Sequence, residues 1–261
     1  MLLRRVLAAL VGGPVFLALV YLGGWPLAAL VALLIFLGLS EYANLVHRWG
    51  GKAPVWLFFA LGILPLAAGV LAGPGPAAQT ALVALGAALF LPVFAGGYSV
   101  VDATALLLGV SYIALCFPYI VYLRAQGYYA IALLIAPTWV GDTAAYFAGM
   151  RWGRRPLLPR VSPKKTWEGA IAGLAGSGVA GWVVAVVAKQ PTWQGLVAGL
   201  AVGLVGQVGD LAESVLKRHA GVKDSGTLIP GHGGVLDRFD SMTVAAPALY
   251  YLIILLGWGV R

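Results

Sequence analysis

Nine apolar stretches of near-uniform length follow one another along the chain, at roughly 6–22, 26–46, 55–73, 77–97, 103–123, 128–150, 168–188, 193–213 and 241–259. Each approaches the ~20 residues that a helix needs to cross the hydrocarbon core of a bilayer. Charged, Pro-rich or Gly-rich breaks separate them. A water-facing surface cannot be built from this chain: 61% of its residues are hydrophobic and 10% charged, against the roughly 25–35% charged residues of a soluble surface. The pattern predicts an all-α fold, a polytopic integral membrane helical bundle of about nine transmembrane helices. The first stretch ends in Gly23-Gly24-Trp25-Pro26 without a small-x-small cleavage pattern, so it reads as the first arm of a helical hairpin and not as a signal peptide. The single cysteine, Cys116, lies within an apolar run and excludes an intramolecular disulfide.

A net charge of +8 would point to nucleic acid in a soluble protein. Here it reads as topology, and no nucleic-acid partner is expected. With the N-terminus cytoplasmic, 14 of the 17 cations fall in inside loops, and only Arg124, Lys189 and Arg261 fall outside. That asymmetry is the positive-inside signature. All nine acids follow the same map, so the chemistry is expected on the cytoplasmic face of the cell membrane. Residues 1–127 then form an N-terminal region of about five spans. Residues 128–261 form the catalytic region, with cytoplasmic loops at 151–167 and 214–240.

Within the eighth stretch, Gly195, Gly199, Gly203 and Gly206 share one face. At ~100° per residue they fill an arc of about 80° that also takes in Asp210, Glu213 and Lys217. Small residues on one face let helix backbones approach in a membrane, so the charged end of this helix should face protein. The apolar faces and the GxxxG-like spacing allow a homodimer without requiring one.

An acid within a span costs about 2.5–3.5 kcal/mol on insertion scales and is a functional candidate by default. Asp142, Glu168, Asp210 and Glu213 qualify. Asp142 has a plainer reading as a polar packing contact. Glu213, four residues before Lys217, has one as half of a helical ion pair.

The densest segment runs from Ser214 to Asp240. It carries Lys217, Arg218, Lys223 and Arg238, the acids Asp224, Asp237 and Asp240, and the Gly-rich turn Pro230-Gly231-His232-Gly233-Gly234. This mixture suits a magnesium nucleotide. Carboxylates hold the hard cation while substrate phosphates complete its octahedron, cations neutralise phosphate oxygens, and glycine N–H groups turn toward an anion. Asp240 or Ser241 also reads as an N-cap of the ninth helix, with Asp237 lying before the helix proper. His232 suits a turn or phosphate contact better than proton transfer. In the other loop, Arg151, Arg154, Arg155 and Arg160 fit topology and anionic headgroups. Ser162, Lys164, Lys165 and Thr166, directly before a helix start, make a phosphate-binding corner.

These residues resemble the signature of the phosphatidate cytidylyltransferases, the CDP-diacylglycerol synthases. Ser214, Lys217, Arg218, Lys223, Asp224, Pro230, His232, Gly233, Gly234, Asp237, Arg238 and Asp240 occupy its fixed positions. Asp142 with Ala145-Tyr146-Phe147, the Ser162–Gly169 segment, and Gly209-Asp210 with Glu213-Ser214 look like further family elements. The strong likeness covers 140–241, and the first five spans are similar only in hydropathy. The resemblance implies magnesium-assisted transfer of CMP from CTP to phosphatidic acid, releasing pyrophosphate. It further implies that Asp210 and Asp237 hold the metal, with Glu213 and Asp240 as further ligands; a two-cation centre is compatible with this charge density. Lys165, Lys217, Lys223 and Arg238 would neutralise the phosphates, with Asp142 in support. Ser162, Lys164, Thr166, Arg218, Asp224, His232, Gly233 and Gly234 would contact substrate, and the lipid would enter from the inner leaflet. Two rivals stand beside this reading. A CTP-dependent polyprenol or phytol kinase would need a base for a neutral hydroxyl, and an ion-coupled transporter is disfavoured because the acids cluster at one face.

Overall fold

The computed structural model describes residues 2–94, 97–228 and 233–258. Pro230, Gly231, His232 and Arg261 lie outside the described residues. Among the described residues ten α-helices follow in order: α1 (Leu2–Leu22), α2 (Gly24–Arg48), α3 (Val55–Ala72), α4 (Pro74–Phe94), α5 (Val100–Gly109), α6 (Pro118–Gln126), α7 (Tyr128–Trp152), α8 (Trp167–Val187), α9 (Thr192–His219) and α10 (Leu236–Leu255). A π-helical turn, Val110–Ala114, follows α5. Every apolar stretch of the sequence carries helix, and the fifth is broken by the π-turn into α5 and α6.

Among the described residues, six helices are long and apolar enough to cross a membrane: Gly24–Arg48, Val55–Ala72, Val100–Gln126, Tyr128–Trp152, Trp167–Val187 and Thr192–His219. Leu10–Leu22 and Pro74–Phe90 are shorter apolar helices. Large apolar side chains are exposed along these helices, among them Leu71, Leu82 and Val187 at more than 70%, and exposed apolar surface on that scale marks a membrane or partner-facing surface.

The expected loop at 151–167 carries a short hairpin within the otherwise all-α fold. Pro156–Leu158 (β1) pairs antiparallel with Ser162–Thr166 (β2), Pro156 opposite Thr166 and Leu158 opposite Ser162. Pro156, Pro159 and Pro163 forbid a continuous helix here, and the amide of Val161 closes the turn onto the Leu158 carbonyl at 3.1 Å.

Two compact units divide the chain. The first comprises Met1–Ala125 and Leu216–Phe239, and so includes the segment between α9 and α10. Its core holds Leu27, Leu39, Tyr42, Phe58, Leu106 and Ile113, all fully enclosed. The loop after α2 is pinned by Asp102, whose Oδ1 accepts the amides of Lys52 and Ala53 (2.5 and 2.8 Å) while its Oδ2 completes a capping box with Ser99. The second unit comprises Gln126–Val215 and Asp240–Arg261. There the glycine face of α9 packs as the sequence predicts: Gly195 lies against the Gly181 carbonyl, Gly199 against that of Ser177, and Gly206 against Ser241. No side chain larger than hydrogen fits at Gly195. Ser177 also donates its hydroxyl to the Pro137 carbonyl at 2.8 Å, tying α8 to α7.

Candidate active site

In the second unit, β2 decides which lysine turns inward. Successive residues of a strand face opposite sides, so Lys164 is exposed while the half-buried Lys165 forms an ion pair with Asp210 of α9. About 30% of each side chain of this pair remains open (31% for Lys165, 29% for Asp210). The hairpin is held by two neighbours of Lys165. Thr166 caps α8, its hydroxyl accepting the Gly169 amide at 3.2 Å. Glu168, in the first turn of α8, accepts the amides of Arg154 and Arg155 (3.1 and 3.3 Å) and fastens the start of the loop. Glu168 therefore clamps the backbone of the loop. Arg151, Arg154, Arg155 and Arg160 are exposed, Ser162 is half-buried, and Asp142 lies exposed on α7.

In the first unit, Asp237 is a hub. Its Oδ1 accepts Lys217 Nζ at 2.6 Å. Its Oδ2 accepts the Ser225 amide (2.8 Å), the Ser225 hydroxyl (2.9 Å) and the Gly234 amide (2.8 Å). The Lys217 and Asp237 side chains are 10% and 5% exposed. Burial alone would push the Asp237 carboxyl upward; the Lys217 ammonium and the Gly234 and Ser225 amides outweigh it and hold the group below the usual carboxylate range. Gly233, directly before Gly234, takes φ +82°, a left-handed conformation that favours glycine.

Two expectations are corrected here. Helix α10 begins at Leu236, so Asp237 sits in its first turn rather than ahead of the helix. Asp240 and Ser241 lie a turn inside and are not its N-cap; Asp240 Oδ1 instead accepts the Ser241 amide at 2.6 Å. The helix starts early because donors at its N-terminus find acidic acceptors.

Lys223 and Asp224 are exposed on the turn after α9, and Arg238 is exposed on α10. Arg218 donates to the Val222 carbonyl at 2.9 Å and closes the end of α9. Glu213 is completely buried. Sequence reasoning passed over two residues, Glu41 and Ser225, which hold the Asp237 turn from α2 and from the loop itself. Glu41 carried a signal: it is an acid seven residues inside the end of an apolar helix.

Magnesium is tested by the donors on offer. These are carboxylate oxygens, the hard ligands that this ion takes, and Asp210 offers a partly open one. Among the described residues no three His, Cys, Asp or Glu side chains form a cage. That is compatible with an ion held by one or two carboxylates and completed by phosphate and water.

The chain matches the model of a cytidylyltransferase family over residues 3–256. It is similar to the phosphatidate cytidylyltransferase of Synechocystis sp., 34% identical with 97% of each chain covered. It is also similar to that of Staphylococcus saprophyticus, 34% identical over 96% of this chain and 98% of the relative, and to that of Bacillus subtilis, 33% identical over 97% of both.

Proposed function

Because the chain belongs to the cytidylyltransferase family, we propose that it transfers CMP from CTP to phosphatidic acid, forming CDP-diacylglycerol and pyrophosphate. A phosphatidate oxygen attacks the α-phosphorus of CTP, the bond to the bridging oxygen of the β-phosphate breaks, and pyrophosphate departs with that electron pair. The nucleophile is already an anion at neutral pH, so no general base is required. What the reaction needs is two polyanions held together, which is positioning and charge neutralisation.

The observation that carries this reading is the Lys165–Asp210 pair. It sets a cation for phosphate beside a carboxylate for a metal, and both side chains are open enough to change partners. In this reading Lys165 exchanges Asp210 for a phosphate oxygen, and the exposed Lys164, Lys223 and Arg238 add positive charge. When bound, magnesium would supply charge neutralisation at the phosphates. Asp210 is its first protein ligand in this assignment, with Glu213 and Asp240 as further oxygen donors. At Asp237 the ion would compete with Lys217 for Oδ1. Ser162, Thr166, Arg218, Asp224, His232, Gly233 and Gly234 are assigned to substrate contact, and Asp142 to a supporting charge. The cation asymmetry supports a cytoplasmic N-terminus and a cytoplasmic site, with phosphatidate entering from the inner leaflet.

The test is product analysis with purified protein, CTP labelled in the cytidine and the γ-phosphate, and either phosphatidate or a polyprenol as acceptor. Cytidine label in lipid with release of pyrophosphate is the expected result. Release of CDP with γ-label in lipid would establish a kinase and overturn the proposal.

A further inference from the structure

The carboxylate of Glu41 is enclosed within the first unit, 8% exposed. Its Oε1 accepts the amide of Val235 at 2.8 Å, and its Oε2 accepts the amide of Leu236 at 3.0 Å and the hydroxyl of Ser225 at 2.8 Å. All three donors belong to the segment that carries Asp237. The two amides open α10, where helix N–H groups have no intrahelical acceptor and a negative charge is favourable. A residue 195 positions earlier in the chain therefore does the work of an N-cap.

The contact with Asp237 is more direct still. The hydroxyl of Ser225 lies within reach of both carboxylates, 2.8 Å from Glu41 Oε2 and 2.9 Å from Asp237 Oδ2. The Ser225 amide goes to Asp237. The one hydroxyl proton of Ser225 is thus shared between Glu41 and Asp237, and between them the two carboxylates take the amides of Gly234, Val235 and Leu236. The sequence leaves room for this. A Cβ at Gly226 or at Gly234 would collide with the Glu41 carboxylate.

We propose that Glu41 is the positioning residue for Asp237: from α2 it fixes Ser225 and the first turn of α10, and so sets where the Asp237 carboxylate points. Its catalytic consequence rests on the transferase reading above; the ordering of the segment rests on the geometry alone. Glu41→Gln keeps the size but puts an amide NH₂ where one of the oxygens accepts, so at least one donor loses its partner.

The test uses the full chain in detergent and reads three quantities: hydrogen exchange in peptides covering 225–240, the magnesium concentration for half-maximal turnover, and the thermal midpoint. In Glu41→Gln, exchange in 225–240 should quicken about tenfold, the loss of one net hydrogen bond, with other peptides unchanged. Half-saturating magnesium should rise ~10-fold or more, as for residues that orient a metal ligand. Ser225→Ala, which leaves the Val235 and Leu236 bonds in place, should move both readouts in the same direction by about threefold, and it decides the matter if Glu41→Gln does not fold. Unchanged exchange in 225–240 would overturn the proposal. So would quickened exchange with an unmoved magnesium dependence, or a turnover loss that only follows the loss of folded protein. If wild-type protein formed no CDP-diacylglycerol, the transferase reading would fall, and the exchange arm would still decide whether Glu41 orders the segment.

Discussion

Lys217 with Asp237 in the first unit and Lys165 with Asp210 in the second are the same chemical couple in opposite settings. The first is sealed, and Asp237 spends both oxygens on four donors. The second is open by about 30% on each side, as its exposures of 31% and 29% show. A buried charge that loses its partner has no water to fall back on, so the first couple is costly to open, and a metal at Asp237 would have to replace Lys217 there. A surface pair is worth about 0–1 kcal/mol, and this half-open one separates at far less cost than the sealed couple when a better partner arrives. For a reaction that brings a cation and phosphates to one place, that slack is the useful property. The two aspartates share a motif-level likeness but differ in how their oxygens are occupied, and that sets how readily each takes a new partner.

The comparison breaks most easily at Asp210. Asp210→Asn should lower turnover ~10²–10³-fold, the scale of removing one preorganised charge contact. It should leave the thermal midpoint within about 3 °C of wild type. Steady-state rates at limiting magnesium and a melting curve check both halves; near wild-type turnover would remove Asp210 from the metal assignment.

Next in size is Lys217→Ala. Removing one member of the sealed pair should cost about 3 kcal/mol, the low end for a buried pair because three uncharged donors still hold Asp237. For a chain of this length that is a fall in midpoint of roughly 6–12 °C. A midpoint that did not move would mean that the two couples are equivalent after all.

A smaller effect sharpens the open side. Lys165→Ala should lower turnover ~10-fold or more, one charge-assisted hydrogen bond. Lys164→Ala, on the outer face of β2, should lower it less than about threefold. Equal losses would show that the alternation of the strand does not govern access to substrate.

How far these couples were legible in the sequence differs between them. The helices follow from apolar length, and the inward glycine face of α9 from a 3.6-residue period that Gly195, Gly199 and Gly206 obey. Lys165 and Lys164 could not be told apart, because their segment read as a loop. Only the pairing of Pro156 with Thr166 makes it a strand and gives the two lysines opposite faces. Asp237 was legible as important but not as a hub, since its donors Ser225 and Gly234 are nine residues apart in the chain and no spacing pattern brings them to one carboxylate. Glu41 was hardest. Its partners lie 184–195 residues away, and no local pattern reports such a contact.

The smallest prediction separates the couples by pH. Asp237 is held below its ordinary range, so its ionised form is favoured by folding. The stability it contributes is fully present above the unfolded value of about 3.9 and is lost as pH falls through the lower, folded value. Between neutrality and pH 5 the gap in thermal midpoint between wild type and Asp237→Asn should therefore stay constant, and below about pH 4 it should close. The corresponding gap for Asp210→Asn should be small throughout, because an exposed pair contributes little at any pH. Melting curves of both variants across this range decide the point. An Asp237 gap that persisted unchanged down to pH 3 would mean that the lysine and the amides stabilise the neutral acid as well as the carboxylate, and the sealed couple would then be a packing contact rather than an ion pair.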